Sequence, residues 1–397
     1  MPTRRLYYDD SFLREFTAEA LRCEPARHGD AAAWGVVLDQ TAFYPDSGGQ
    51  PADAGLLGEA RVLEVTDAGD DVVHLVDRPV PLGPIRGEID WPRRFDHMQQ
   101  HTGQHLLSAV FLERYSLPTV SFHLGSDVST IDLRGKEPTE ALLEETERAA
   151  NAIIFESRPV RVRYGTAEEL DKLGVRKKVE REGKLRALEI EGVDLQPCGG
   201  THVADTGQIG LLLLRRVAKI RQDWRVEFVC GERARRAARG DFRLLQHAAA
   251  ALSCGPEEVA AAIGRTQQER DARFRAARAL SERLAEAEGR LFAEDTPPGA
   301  EGLRIISRVL PAASADYLGL LATAIAKNEK TIVLLASEGF LVFAQHESAA
   351  KDMNQLLRDT LQAFGGKGGG QRNFARGRLS NPGHSEQAVI LARERCS

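Results

Sequence analysis

Hydrophobic positions recur at two different periods along the chain. Up to about residue 92 they come in short runs, Trp34–Leu38, Arg61–Val65, Asp71–Val76 and Gly87–Trp91, separated by Gly, Pro and Asp. Runs of this length between turn residues predict β-strands. Their close spacing predicts a small barrel or a curled antiparallel sheet. From Arg93 the period becomes helical: Met98, Leu106, Leu107, Val110 and Phe111 predict a helix ending near Tyr115. Leu142, Thr146, Ala149 and Ile153 predict a second helix that stops before Pro159. Strands are expected at Ser129–Leu133, Val160–Tyr164, Gly210–Val217 and Trp224–Cys230, which makes this stretch α+β.

Residues 256–292 are rich in Ala, Glu and Arg, with Phe274, Ala277, Leu284 and Leu291 at heptad-like spacing. The pattern predicts a long helix or an antiparallel coiled-coil arm, or an amphipathic helix packed on its own domain. Thr296–Gly302 reads as a linker. Beyond it, strands are expected at Arg304–Ile306, Thr331–Leu335 and Phe340–Phe343, with helices at Asp316–Lys327 and Ser348–Ala363. These form a small α/β domain with a glycine-rich run, Gly365–Gly370, near its end. The expected layout is therefore a β-barrel-like domain over 1–92, an α+β domain over 93–245, a helical arm over 246–295 and a C-terminal domain over 303–397. No internal repeat is visible.

Composition narrows the class only a little. With 42% hydrophobic and 28% charged residues the chain looks like an ordinary globular protein. No apolar run approaches the ~20 residues that span a bilayer. The start, MPTRRLYYDD, has no apolar signal core, so a cytoplasmic protein is expected. Five scattered cysteines, an odd number, suit a reducing compartment and argue against a disulfide framework. A formal net charge of -5 does not point to nucleic acid, but a local basic surface on an acidic protein can still track phosphates.

The chemistry is concentrated in two short motifs. His101-Thr-Gly-Gln-His105 puts two imidazoles at i and i+4, on one helix face and within reach of one ion. Metalloproteases of the His-Glu-x-x-His type carry their base immediately after the first histidine. Thr102 stands there, so that peptidase chemistry lacks its proton acceptor. Pro197-Cys-Gly-Gly-Thr-His202 puts a thiol and a second imidazole four residues apart around two glycines. Thiolate and neutral imidazole are donors that zinc prefers. Zinc held by His101, His105, Cys198 and His202 is the expectation. Four protein ligands describe a structural site, whereas catalysis needs a position open to water; spacing alone leaves that choice open.

These motifs together resemble the zinc signature of alanyl-tRNA synthetase editing domains and of free-standing alanyl-tRNA editing hydrolases of the AlaX type. Phe43–Pro51 resembles the glycine-rich motif of that family's N-terminal barrel. Lys184–Leu188 and Asp194–Cys198 resemble the lead-in to the second ligand pair, and Arg225–Arg233 the strand and turn after it. Gly365–Gln371 resembles the glycine-rich end of the synthetase's C-terminal domain, related to the DHH-associated domain. The resemblance spans nearly the whole chain and fits the long AlaX form, with an editing domain of the threonyl/alanyl-tRNA synthetase second-additional-domain type.

The resemblance implies a trans-editing deacylase acting on tRNA(Ala) mischarged with serine, and also with glycine, that edits without charging. Serine adds one hydroxyl to alanine, and a synthetic pocket rejects such an analogue by only about 10²-fold. Gln104 and Ser121 resemble, by position, the family's polar residues for selecting the substrate hydroxyl. Read as ordinary residues, Gln104 caps a turn and Ser121 ends a loop. His123 reads as a surface histidine or a further pocket residue. The stretch Arg215, Arg216, Lys219, Arg221, Arg225, Arg233, Arg235, Arg236 and Arg239 suits either phosphates or a solvated face. Gly365–Gly370 with Lys367 and Arg372 offers either an RNA contact or a flexible tail. It lacks the ending of a nucleotide P-loop, so ATP is not implied. A homodimer through the helical arm or C-terminal domain is a further expectation. Against the enzyme stand two other classes, a non-catalytic tRNA-binding module with a structural zinc and a metal hydrolase of small esters or amides.

Overall fold

Six strands near the N-terminus close into a barrel. They are β1 (Glu15–His28), β2 (Ala31–Leu38), β3 (Gly55–Leu57), β4 (Ala60–Ala68), β5 (Asp71–Val76) and β6 (Gly83–Ile89). Their order is β1-β2-β5-β4-β3-β6, with neighbouring strands antiparallel. The inner face carries Val36, Leu38, Phe43, Leu57, Val65, Val72 and Val76. β5 shows the period-two pattern most plainly, with Val72, His74 and Val76 inward. His74 hydrogen-bonds Thr41 Oγ1 at 2.8 Å and the carbonyl of Val36 at 3.2 Å, which satisfies both of its ring nitrogens.

This computed structural model of the chain describes residues 2–176, 183–299 and 302–396. They divide into two compact units between His247 and Ala248. The hydrophobic pattern gave no warning of β1, the longest barrel strand. Its inward residues Phe16, Ala18 and Ala20 are mostly small, and Pro25 lies within it, so its strand signal is weak.

A 25-residue helix, α1 (Trp91–Tyr115), follows the barrel directly. Asp90 caps it by accepting from the Arg93 amide at 3.2 Å, and Pro92 occupies its first turn. The strand expected at Gly87–Trp91 therefore ends at Ile89. Ser116, in the left-handed conformation, ends the helix. Arg94 is wholly buried: its guanidinium pairs with buried Asp53 and donates to the carbonyls of Ser11 and Ala42. That network fixes the helix start against the barrel loops.

The rest of the first unit runs β7 (Thr119–Leu124), β8 (Ser129–Leu133), α2 (Glu140–Phe155), β9 (Val160–Gly165), β10 (Leu185–Ile190), β11 (Asp194–Pro197), β12 (Leu212–Ile220) and β13 (Asp223–Cys230). One sheet has the order β12-β13-β8-β7 and another β9-β10-β11. Met98, Leu106, Leu107, Val110 and Phe111 of α1 pack on Ile131, Leu133, Val226 and Phe228. Burying each such leucine or phenylalanine contributes roughly 1.5–3 kcal/mol. A charged helix, α3 (Gly231–Ala251), follows β13.

In the second unit a single 36-residue helix, α4 (Val259–Glu294), covers the stretch expected to form an arm. Ala285 and Gly289 are buried near its end, whereas Phe274, Leu284 and Leu291 of the heptad-like pattern are exposed. The expected linker, Thr296–Gly302, includes two residues outside those described. After it come β14 (Arg304–Val309), α5 (Ala315–Ile325), β15 (Thr331–Ser337), β16 (Phe340–Gln345), α6 (Met353–Phe364), β17 (Gly366–Gln371), β18 (Phe374–Leu379) and α7 (Ser385–Glu394). The sheet order is β14-β15-β16-β18-β17. β15 is buried throughout, Val333 and Leu335 in one core with α5 and Ile332, Leu334 and Ala336 in another with α6 and α7.

The glycine-rich run is an edge strand here, not a tail. β17 pairs with β18 along its whole length. A Cβ at Gly368 would lie 2.5 Å from the Cα of Gly377 and 2.9 Å from Leu361, so the close approach of these strands requires glycine. Among the described residues no helix is long and apolar enough to cross a membrane.

Candidate metal centre

His101 and His105 stand one turn apart on α1, both buried. Cys198 and His202 come from the turn that follows β11. One donor atom from each of the four residues lies within 4.8 Å of every other. The Cys198 Sγ is 3.2 Å from His202 Nε2 and 3.6 Å from His101 Nε2. Sequence spacing could propose these two pairs, but only the fold brings them together.

The turn closes because position 200 has no side chain. A Cβ on Gly200 would sit 2.3 Å from the His101 ring and 3.0 Å from the Gln50 amide oxygen. The Gly200 amide instead donates to Cys198 Sγ at 3.4 Å. Arg186, on β10, donates to the carbonyls of Cys198 and Tyr8 and so anchors the turn from outside.

Each histidine has its Nδ1 engaged by a different protein group. His101 Nδ1 donates to Gln50 Oε1 at 2.8 Å, and Gln50 in turn bonds Thr201 through both ends of its amide. His105 Nδ1 faces Asp194 Oδ2 at 3.3 Å, and Asp194 also pairs with Arg176. His202 Nδ1 faces Thr102 Oγ1 at 3.2 Å, which also accepts from the amide of Val203. This leaves all three Nε2 atoms for the space shared with the thiol. Three imidazole nitrogens and one sulfur suit a tetrahedral zinc, and outer partners on Nδ1 are what orients such ligands.

Groups of the cluster also shift one another's protonation. Burial alone would raise the Cys198 thiol, but the imidazoles of His101, His202 and His105 hold it well below the ordinary thiol range. Burial would lower His105, yet the Cys198 sulfur and Asp194 raise it to about 9. Burial dominates at His202 and pushes it down to about 3. The cluster can hold a metal ion.

Gln50, Asp194 and Thr102 are not marked as site residues by the sequence, although all three stand within the motifs named above. No local pattern identifies such partners, because Gln50 is 51 positions from its histidine. Phe122 is a further addition: its ring stacks on His101 with centroids 5.2 Å apart.

The two expected selectivity residues fare differently. Gln104 is buried on α1 between the two ligand histidines and donates to Ser108 Oγ at 2.8 Å. Ser121 is exposed on β7. Strand alternation puts its side chain on the face opposite Phe122, so the structure does not bring it to the cluster. His123 is exposed on that same outer face.

The basic stretch also divides. Arg233 is buried and pairs with Asp96. Arg225 pairs with Asp132, Arg215 with Asp241 and Arg235 with Glu232. All four have a carboxylate partner, but of them only Arg233 is buried. Arg216, Lys219, Arg221, Arg236 and Arg239 have no carboxylate partner among the described residues.

Residues 185–225, which include the Cys198–His202 turn, match the family described as threonyl and alanyl tRNA synthetase second additional domain. The chain is 33% identical to the alanyl-tRNA editing protein AlaX-L of Pyrococcus horikoshii over 399 residues, covering 94% of each chain. It is 27% identical to the alanyl-tRNA editing protein Aarsd1 of Mus musculus, covering 97% of this chain and 96% of that one. It is also 31% identical to the alanine–tRNA ligase of Pyrococcus abyssi over 98% of this chain, but spans only 43% of the ligase. Two of the four donors, Cys198 and His202, thus lie in the segment that matches the second additional domain. The chain belongs to the alanyl-tRNA editing protein family.

Proposed function

We propose that the chain is a zinc-dependent deacylase that hydrolyses mischarged tRNA(Ala) in trans, chiefly seryl-tRNA(Ala) and also glycyl-tRNA(Ala). One observation carries the reading: in a member of this editing family, three imidazole Nε2 atoms and one thiol converge while every Nδ1 is held by another group. His101, His105, Cys198 and His202 would hold the metal. Bound zinc supplies Lewis acidity toward an ester carbonyl and a nucleophile at neutral pH. Gln50, Asp194 and Thr102 orient the three rings. Gln104, between the ligands, supplies the polar contact to the substrate side chain, a role for which Ser121 is badly placed. Arg216, Lys219 and Arg221, which have no carboxylate partner among the described residues, suit the phosphates of the tRNA. Use of charged tRNA fits a cytoplasmic setting.

A second reading, a tRNA-binding module with a structural zinc, draws on the count of four protein donors, enough to close a tetrahedral sphere. The deciding experiment measures deacylation of seryl-, glycyl- and alanyl-tRNA(Ala) with zinc content determined alongside. We expect seryl-tRNA hydrolysis to disappear in folded His105→Ala and Cys198→Ala proteins and on removal of zinc by a chelator. Full activity in either variant would overturn the assignment of the site. A zinc-loaded wild-type protein with no hydrolysis would support the structural reading.

A further inference from the structure

The segment before β10 packs outside the core around α1. Its short helix, Ala167–Lys172, is closed at the start by a reciprocal cap. The Glu169 amide donates to Thr166 Oγ1 at 3.3 Å, and the Glu169 carboxylate accepts from the Thr166 amide at 2.8 Å. Leu170 packs with Ala187 of β10 and Leu195 of β11 in a satellite cluster of its own. The chain then turns back: the Val175 amide donates to the carbonyl of Leu170 at 3.1 Å, and the Arg176 amide to that of Leu195 at 3.0 Å. This seats Arg176 beside Asp194, the outer partner of the ligand His105.

Arg176 Nη2 donates to Asp194 Oδ2 at 3.2 Å, and its Nε lies 3.0 Å from Oδ1. The same Oδ2 faces His105 Nδ1 at 3.3 Å. The Asp194 side chain is 1% exposed, whereas Arg176 keeps 22%. A carboxylate taken this far out of water holds its place only where fixed donors and an opposite charge replace its hydration. One imidazole N–H cannot supply both. The guanidinium does, because its planar fork meets both oxygens. The outer partners of the other two rings, Gln50 and Thr102, are neutral and make no such demand.

We infer that Arg176 is a positioning residue of the metal centre: acting through Asp194, it fixes the His105 ring for the ion without being one of the donors. This rests on the reading that the four donors hold zinc, and not on which ester the site hydrolyses. Without the arginine, the Asp194 carboxylate draws in water or turns from the ring, and His105 loses the partner that aims it. The satellite cluster and the capped helix then have a task, which is to hold the arginine against β11.

A double-mutant cycle on zinc affinity tests this, with Arg176→Gln, Asp194→Asn and the two together in the full chain, each measured by competition with a chelator. Asp194→Asn should weaken zinc binding about 10–100-fold, and Arg176→Gln about tenfold. Once Asp194→Asn is present, Arg176→Gln should cost nothing more, because its route to the ring has gone. Arg176→Lys keeps the charge but not the fork and should lose only part of the affinity. With Co2+ in place of zinc, the visible absorption of Arg176→Gln should also shift, which a role in folding alone does not produce. Wild-type affinity in Arg176→Gln, or the same loss with and without Asp194→Asn, overturns the inference. If Arg176→Gln does not fold, Arg176→Lys serves, and wild-type affinity there overturns it equally. A wild-type protein that binds no zinc overturns the reading of the metal centre itself, and this inference with it.

Discussion

The Gln50 amide oxygen accepts from His101 Nδ1 at 2.8 Å, joining a loop of the barrel to a ligand on the helix 51 residues later. The same amide bonds Thr201 inside the second ligand motif, so one side chain holds both halves of the cluster in register. Replacing Gln50 by alanine should weaken zinc binding about 10–100-fold, the usual effect of losing an outer partner. Competition with a chelator at fixed pH measures this, with circular dichroism to show that the fold persists. An unaltered affinity would mean that the ring is held without its amide partner.

Neighbouring glycines in the second motif should behave differently. A Cβ at Gly200 collides with the His101 ring, whereas one at Gly199 comes no closer than 3.8 Å, to Tyr8. Gly200→Ala should therefore lose most bound zinc and Gly199→Ala should keep it. Metal analysis of the two purified proteins decides the matter, and equal retention would show that the turn can shift to make room.

Arg94 offers a stability test remote from the metal. Its guanidinium is fully buried against Asp53 and two carbonyls. Truncation to alanine leaves the Asp53 carboxylate buried without its partner, at a cost of roughly 3–5 kcal/mol. Urea denaturation of Arg94→Ala should show that loss. The double variant Arg94→Met, Asp53→Leu should recover part of it. A loss below about 1 kcal/mol would mean that water reaches the pair.

His74 predicts an acid-sensitive barrel. Burial lowers its pKa to about 4, against an ordinary value of about 6.5 in the unfolded chain. The unfolded state therefore takes up the proton first. The stability from the neutral ring is complete above about pH 6.5 and is lost as the pH falls toward 4, by about 3 kcal/mol in all. In His74→Gln the fall in urea midpoint between pH 7 and pH 4.5 should be visibly smaller. Parallel curves for the two proteins would assign the acid loss to other groups.

The elements that sequence patterning located were those whose apolar residues are regularly spaced. Met98 to Phe111 repeat at helical spacing because the apolar face of α1 meets a sheet, although the helix is buried all round from His97 to Phe111, and Val72 to Val76 alternate because β5 has one wetter face. β1 is faint because two of its three inward residues are alanine and Pro25 stands within it, and β17 because its strand is mostly glycine. In both the partner strand, not the local composition, decides the conformation.

The site divides along the same line. The sequence by itself named the four donor residues, since zinc chemistry restricts their type and each pair is spaced within one turn of chain. It also set aside a protease, because Thr102 stands where a base would be. Only the tertiary structure decided that the two pairs meet, that Gln50, Thr102 and Asp194 hold the rings, and that Gln104 is buried on α1 while Ser121 is exposed on β7. It also buried Arg233 against Asp96 while leaving Arg215, Arg225 and Arg235 in surface ion pairs. The physical reason is one of range. Ligand type and turn geometry act over a few residues, whereas hydrogen bonds and ion pairs between segments tens of residues apart exist only once packing has set both ends in place.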